Sequence, residues 1–149
     1  MKVCQSLTQY GAAVNLMVPG KAFFPWSDLS PYYGLTTTFE TCWISSSAMF
    51  KRYDFAWRAV QRAVDMQADL LYTWLPQAAV MSLRRGLPTI LEVHDRPTGR
   101  LGPWLLRQTA TLRGRKRLAV ITQALHRAIE GEFHIRQWTR TCLLYTSPS

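Results

Sequence analysis

Acidic residues are scarce in this sequence. In 149 residues, 9 Asp and Glu stand against 18 Lys and Arg, a formal charge of +9. No carboxylate side chain occurs between Asp95 and Glu130, a stretch that holds Arg96, Arg100, Arg107, Arg113, Arg115, Lys116 and Arg117. Such a stripe suits nucleic acid, an anionic membrane or a phosphorylated substrate, or is simply a solvated face. Long apolar runs are missing too: no stretch of about 18 residues reads as a membrane span. The three cysteines Cys4, Cys42 and Cys142 have no metal-ligand spacing and imply no disulfide framework, so a reducing, cytoplasmic setting is expected. The start is not that of a secretory signal, because Met1-Lys2 runs into the polar stretch Gln5-Ser6-Leu7-Thr8-Gln9. No strand is followed by Gly-x-Gly-x-x-Gly, and a Walker loop, a zinc spacing and a Gly-x-Ser-x-Gly elbow are absent. Those absences disfavour a dinucleotide-binding dehydrogenase and the commonest hydrolase designs.

What is present is a folding chain. Hydrophobic residues make up 48% and charged residues only 18%, with six Trp, which excludes a solvated, disordered polymer. The length suits one domain of roughly 100–200 residues. Ala13–Val18 reads as a strand stopped by Pro19-Gly20, and residues 21–49 as irregular, with a strand expected over Thr36–Ile44. A helix is expected from Phe50 to Gln67, with Tyr53, Trp57, Val60 and Val64 on its apolar stripe and Ala56 and Ala63 beside it. The rest alternates. Strands are expected at Asp69–Thr73, Thr89–Val93 and Leu118–Thr122, and helices at Pro76–Arg85, Leu101–Leu112 and from Thr122 or Gln123 to Phe133.

That alternation predicts an α/β fold: a mostly parallel, Rossmann-like, doubly wound sheet with helices on both faces. Ligands of such sheets bind outside the carboxyl ends of the strands, where this chain places Thr73, His94-Asp95 and Thr122. Thr122 equally suits a helix cap, and Asp95 a turn before Arg96-Pro97-Thr98-Gly99. His94 is the sharpest candidate, since an imidazole at a strand mouth can donate, accept or relay protons near neutral pH.

From Asp69 onward the order of motifs becomes specific. Asp69-Leu-Leu-Tyr-Thr73, Gly86-Leu-Pro88, Leu91-Glu-Val-His-Asp95 and Gly114-Arg-Lys-Arg-Leu-Ala-Val-Ile-Thr-Gln-Ala-Leu125 together resemble the amino-terminal domain of family 4 glycosyltransferases. The opening Met1–Leu7, Tyr10-Gly11 and the strand to Val18-Pro19 look like that family's first helix and second strand, so the likeness covers about residues 1–133. The resemblance implies half of a GT-B architecture. It also implies retaining, metal-independent transfer from a nucleotide-sugar donor to a sugar or lipid-linked acceptor. No cofactor follows from it, since the nucleotide sugar is a co-substrate held mainly by a carboxyl-terminal domain. On the matching positions, His94 and Asp95 stand at the reacting centre. Thr73, Glu92, Arg96 and Thr122 stand on the substrate-binding wall.

The chain departs from the family at both ends. The family's first strand is expected to be missing before the opening helix, because too few residues precede Val14 to hold both. Residues 134–141 are an uncertain junction. Cys142–Ser149 reads as the translation of a transposase-end sequencing adapter, TGT-CTC-TTA-TAC-ACA-TCT-CCG-AGC, and is expected to be an artificial tail. Residues 1–133 are then expected to be an acceptor-side domain fragment, inactive alone. The basic stretch Arg100–Arg117 is a candidate dock for an anionic membrane, at the inner face of which the enzyme would sit. The alternative from another class, a basic nucleic-acid-binding α/β module, lacks any recognisable nucleic-acid motif, and its aromatics cluster at 21–57, away from the arginines. Nucleic acid is therefore not expected as a partner.

Overall fold

Every strand pair is parallel in the computed structural model, which describes residues 1–20, 24–50, 52–133 and 142–143. The chain is α/β, with helices around two small sheets, consistent with a Rossmann-like fold. It divides into two units, Met1–Phe55 and Ala56–Ser149.

In the first unit, helix α1 (Lys2–Gln9) precedes strand β1 (Asn15–Pro19), which pairs with β2 (Glu40–Ile44). The amide groups of Thr36 and Thr37 donate to the Gln5 side-chain oxygen at 2.7 and 3.4 Å, which keeps them out of the expected longer strand. Between β1 and β2 lies a helix that the prolines concealed, α2 (Trp26–Tyr33). Pro25 caps its start and Pro31 sits inside it, while Gly34 adopts φ 57° to end it. There Leu35 donates to the Ser30 carbonyl at 2.8 Å, and the Leu35 side chain is buried. Trp26 meets the buried Phe39 edge to face, with ring centroids 5.2 Å apart. Burial pushes the Cys4 thiol up from its ordinary value, which disfavours the nucleophilic thiolate.

Helix α3 (Tyr53–Asp65) opens the approach to the second sheet. Its buried stripe is Ala56, Ala59, Val60 and Ala63, at the i, i+3, i+4, i+7 spacing of one helix face. The expected stripe therefore lies to one side of the real one: Trp57 is 53% exposed and Val64 36% exposed. Alanines mark most of the packed side of this helix, with Phe55 buried near its start.

The second unit alternates strictly. Strand β3 (Leu71–Thr73) is followed by α4 (Pro76–Arg84), β4 (Thr89–Val93), α5 (Leu101–Thr111), β5 (Lys116–Val120) and α6 (Gln123–Phe133). A two-residue strand, β6 (Cys142–Leu143), pairs with Ala119–Val120, so the sheet order is β3-β4-β5-β6. The first residues of the expected tail are thus placed beside β5, whereas residues 134–141 and 144–149 lie outside the described residues. Right-handed crossovers between strands laid down in sequential order bring successive helices to one face. The core bears this out: Leu91 and Val93 of β4 and Leu118 and Val120 of β5 pack with Ala79 of α4, Leu106 of α5, and Ile129 and Phe133 of α6.

β5 begins two residues earlier than the apolar pattern indicated, because Lys116 occupies an inward position. Its ammonium reaches the carbonyls of Ala110 and Leu112, which are left without helical partners at the end of α5. Partial burial lowers the pKa of Lys116. On the same face, the Thr89 hydroxyl donates to the Leu87 carbonyl at 2.9 Å and can accept from the Ser82 hydroxyl at 2.8 Å, so these polar groups buried beside α4 are mutually bonded.

Leu118 is 1% exposed at the centre of this core. Leu118→Ala is expected to cost about 2–5 kcal/mol, read as a lower urea midpoint with unchanged slope. A loss within about 0.5 kcal/mol would place the core elsewhere.

Candidate functional site

A β-strand sends alternate side chains to opposite faces, and in β4 this rule divides structure from chemistry. Leu91 and Val93 belong to the helix-covered core. Glu92, between them, faces the other way, as does the start of the loop that follows. On β3, Tyr72 stands opposite Ile90, so it shares the face of Ile90 and Glu92. The outcome is a linked group at the carboxyl edge of the sheet. The Tyr72 hydroxyl donates to Glu92 Oε2 at 2.9 Å, and His94 Nε2 lies 3.1 Å from Glu92 Oε1. Glu92 is the enclosed member, with 13% of its side chain exposed, against 53% for His94. A carboxylate held on both oxygens fixes the imidazole's orientation while leaving most of the ring open to a ligand.

The loop after β4 carries Asp95 and Arg96, both exposed. Arg96 donates from Nε and Nη2 to the same oxygen of Glu132, each at 2.8 Å, which ties this loop to α6. Both partners are partly exposed, so the pair positions the loop more than it stabilises the fold. Gly102, in the first turn of α5, permits a close approach: a Cβ there would stand 3.3 Å from Cβ of Pro97 and 3.4 Å from its carbonyl carbon.

Thr73 and Thr122 both serve helix starts. Thr73 Oγ1 accepts from the Leu75 amide at 3.0 Å ahead of α4, and Thr122 Oγ1 accepts from the Leu125 amide at 3.1 Å ahead of α6. Thr73 is buried, while Thr122 is exposed and directly precedes α6. Each hydroxyl keeps its proton available for a further bond. The structure thus joins Glu92 and His94 directly, sets Thr73, Arg96 and Thr122 at the same edge in separate contacts, and leaves Asp95 exposed in the loop after β4.

Four residues of this edge escape a reading by motif. Tyr72 and Glu132 complete the contacts of Glu92 and Arg96. Trp74, just past β3, is 58% exposed, and Trp104, in the first turns of α5, is 49% exposed. The signal for Tyr72 was the two-residue step from Glu92 to His94, which puts both on one strand face together with the neighbouring strand's aromatic. Nothing in the pattern foretold Glu132. Among the described residues, no three His, Cys, Asp or Glu side chains converge so as to hold a metal ion.

Comparison with protein-family models, with curated proteins and with solved structures gives no match to this chain.

The cap at Thr122 is directly testable. Thr122→Ala is expected to lower stability by about 1 kcal/mol, and Thr122→Ser to restore most of it, in thermal or urea unfolding. Equal stability of the two variants would free Thr122 from a capping role.

Proposed function

We propose that this chain is the acceptor-side part of a glycosyltransferase. On this reading it helps move a sugar from a nucleotide-sugar donor to a hydroxyl of a sugar or lipid-linked acceptor. The observation that carries the reading is the carboxyl-edge group Tyr72–Glu92–His94, on an edge that also exposes Trp74 and Trp104. Sugars present C–H faces and hydroxyl rims, so exposed indole rings beside an oriented imidazole and a carboxylate match both kinds of surface.

In the reaction, the bond between the sugar's anomeric carbon and the donor phosphate breaks, and a bond to the acceptor oxygen forms. The acceptor proton leaves with the nucleoside diphosphate. His94, steadied by Glu92, orients the acceptor hydroxyl, and exposed Asp95 lies one residue further along the same loop. Arg96, locked to Glu132, holds that loop in place, and Thr73 and Thr122 offer hydroxyl protons to the acceptor's rim. The donor nucleotide belongs to a second domain of the enzyme, and retention without a metal follows from the family likeness.

The test uses the whole enzyme, with nucleoside diphosphate release as readout across common nucleotide sugars and acceptors. His94→Ala is expected to lower kcat about 10²-fold or more without changing the melting temperature, since its side chain is half exposed. Trp104→Ala is expected mainly to raise KM for the acceptor. Full activity in the His94→Ala enzyme, or no turnover with any nucleotide sugar, would overturn the reading.

A further inference from the structure

Parallel strands give a sheet two unlike edges, and the amino edge of the second unit has a chemistry of its own. Three segments lead into the strands there: residues 64–70 before β3, 84–88 before β4 and 112–117 before β5. They carry Arg84, Arg85, Arg113, Arg115 and Arg117, all exposed, against two carboxylates, Asp65 and Asp69. Asp65 is engaged by Gln61 at 2.8 Å. An open cavity of about 430 Å³ lies among them, lined by Val64, Gln67, Asp69, Arg85, Pro88 and Arg115. Its walls are anchored: Arg85 donates to the Gln61 side-chain oxygen at 2.6 Å, and the Arg115 carbonyl accepts from the Thr89 amide at 2.9 Å.

The same edge exposes aliphatic surface. Val64, Met66 and Leu70 are 36%, 40% and 45% exposed. Val64 lines the cavity with Arg85 and Arg115, and Met66 and Leu70 belong to the same segment before β3. No aromatic residue occurs in any of the three segments. Surfaces that hold single-stranded nucleic acid combine such charge with aromatic rings that stack the bases. A bilayer interface instead takes up aliphatic groups while its anionic headgroups meet the cations.

The basic stripe of the sequence is not one surface. Arg96 is paired with Glu132, Arg107 lies over the Phe133 ring at 5.6 Å, and Lys116 is turned to the end of α5. Arg100 is exposed at the start of α5, on the other edge, while the exposed Arg113, Arg115 and Arg117 join Arg84 and Arg85 at the amino edge.

We propose that the amino edge of the second unit, built on Arg85 and Arg115 with Val64, Met66 and Leu70, docks on an anionic lipid bilayer. The carboxyl-edge site then lies on the edge of this sheet away from the lipid. The inference stands on this edge alone and is independent of the glycosyl-transfer reading.

Co-sedimentation of the full chain with vesicles tests it, using phosphatidylcholine alone or with about 30 mol % phosphatidylserine. Binding is expected only to the anionic vesicles and weakens as salt rises. Arg115→Glu should lower the partition coefficient about tenfold or more, whereas Arg127→Glu, the same charge change on exposed α6, should leave it within about twofold. Met66→Asp with Leu70→Asp should lower it at fixed salt, which separates insertion from charge attraction. Arg85→Gln with Arg115→Gln serves as a gentler version, and melting curves accompany every variant. Equal loss with Arg127→Glu would overturn the proposal. So would binding to neutral vesicles as strong as to anionic ones. Vesicle binding unchanged by Arg115→Glu with a lowered melting temperature would assign these arginines to helix ends instead. Tighter binding to a single-stranded oligonucleotide, insensitive to Met66→Asp and Leu70→Asp, would assign the edge to nucleic acid.

Discussion

The packing of Leu91, Val93, Leu118 and Val120 under α4, α5 and α6 is the constraint from which the rest of the second unit follows. Burying those four side chains on one face fixes the parity of β4 and β5. Once Leu91 and Val93 point inward, Glu92 must point outward, within reach of a tyrosine on the neighbouring strand. The same parity turns Lys116 inward, where its long stem brings the ammonium to the last carbonyls of α5 instead of to water. One apolar choice thus turns a carboxylate to the outer face and a cation to the end of α5.

Parallel pairing adds a second division, between edges. The carboxyl edge receives the starts of α4, α5 and α6, where unpaired amide groups favour negative and hydrogen-bond-accepting partners. Thr73 and Thr122 answer that demand as acceptors. The amino edge receives the helix ends, where cations are favoured, and the exposed arginines collect there. Five of the exposed arginines, Arg84, Arg85, Arg113, Arg115 and Arg117, therefore lie where the strands begin. A chain that seemed to carry one basic stripe has separate polar surfaces with different work.

The alternation of strands and helices from Tyr53 to Phe133 was legible because apolar spacing, Pro76 and Gly86 all agreed on it. The parallel α/β class followed from that order. The strand edge carrying His94 was legible as well, since a doubly wound sheet binds at its carboxyl ends. Other features were hidden for definite reasons. α2 was obscured by Pro25 and Pro31, which read as breakers although one starts the helix and the other is tolerated within a short one. The packed side of α3 was obscured because large residues drew attention away from its alanines. Thr122 was read as a site residue and a cap at once, and its bond to the Leu125 amide shows the capping half of that reading, whereas Thr73 closes a turn onto the Leu75 amide ahead of α4. Glu132 was out of reach, since it comes to Arg96 only through the tertiary placement of α6.

The central claim is that the carboxyl edge around Glu92 is the ligand-facing surface of the second unit. Amide chemical-shift mapping of the isotope-labelled protein, titrated with a panel of simple methyl hexosides, tests it most directly. The account predicts shifts gathered at Tyr72, Trp74, Glu92–Arg96, Trp104 and Thr122. Shifts confined to residues 64–70, 84–88 and 112–117, or none with any saccharide, would contradict it.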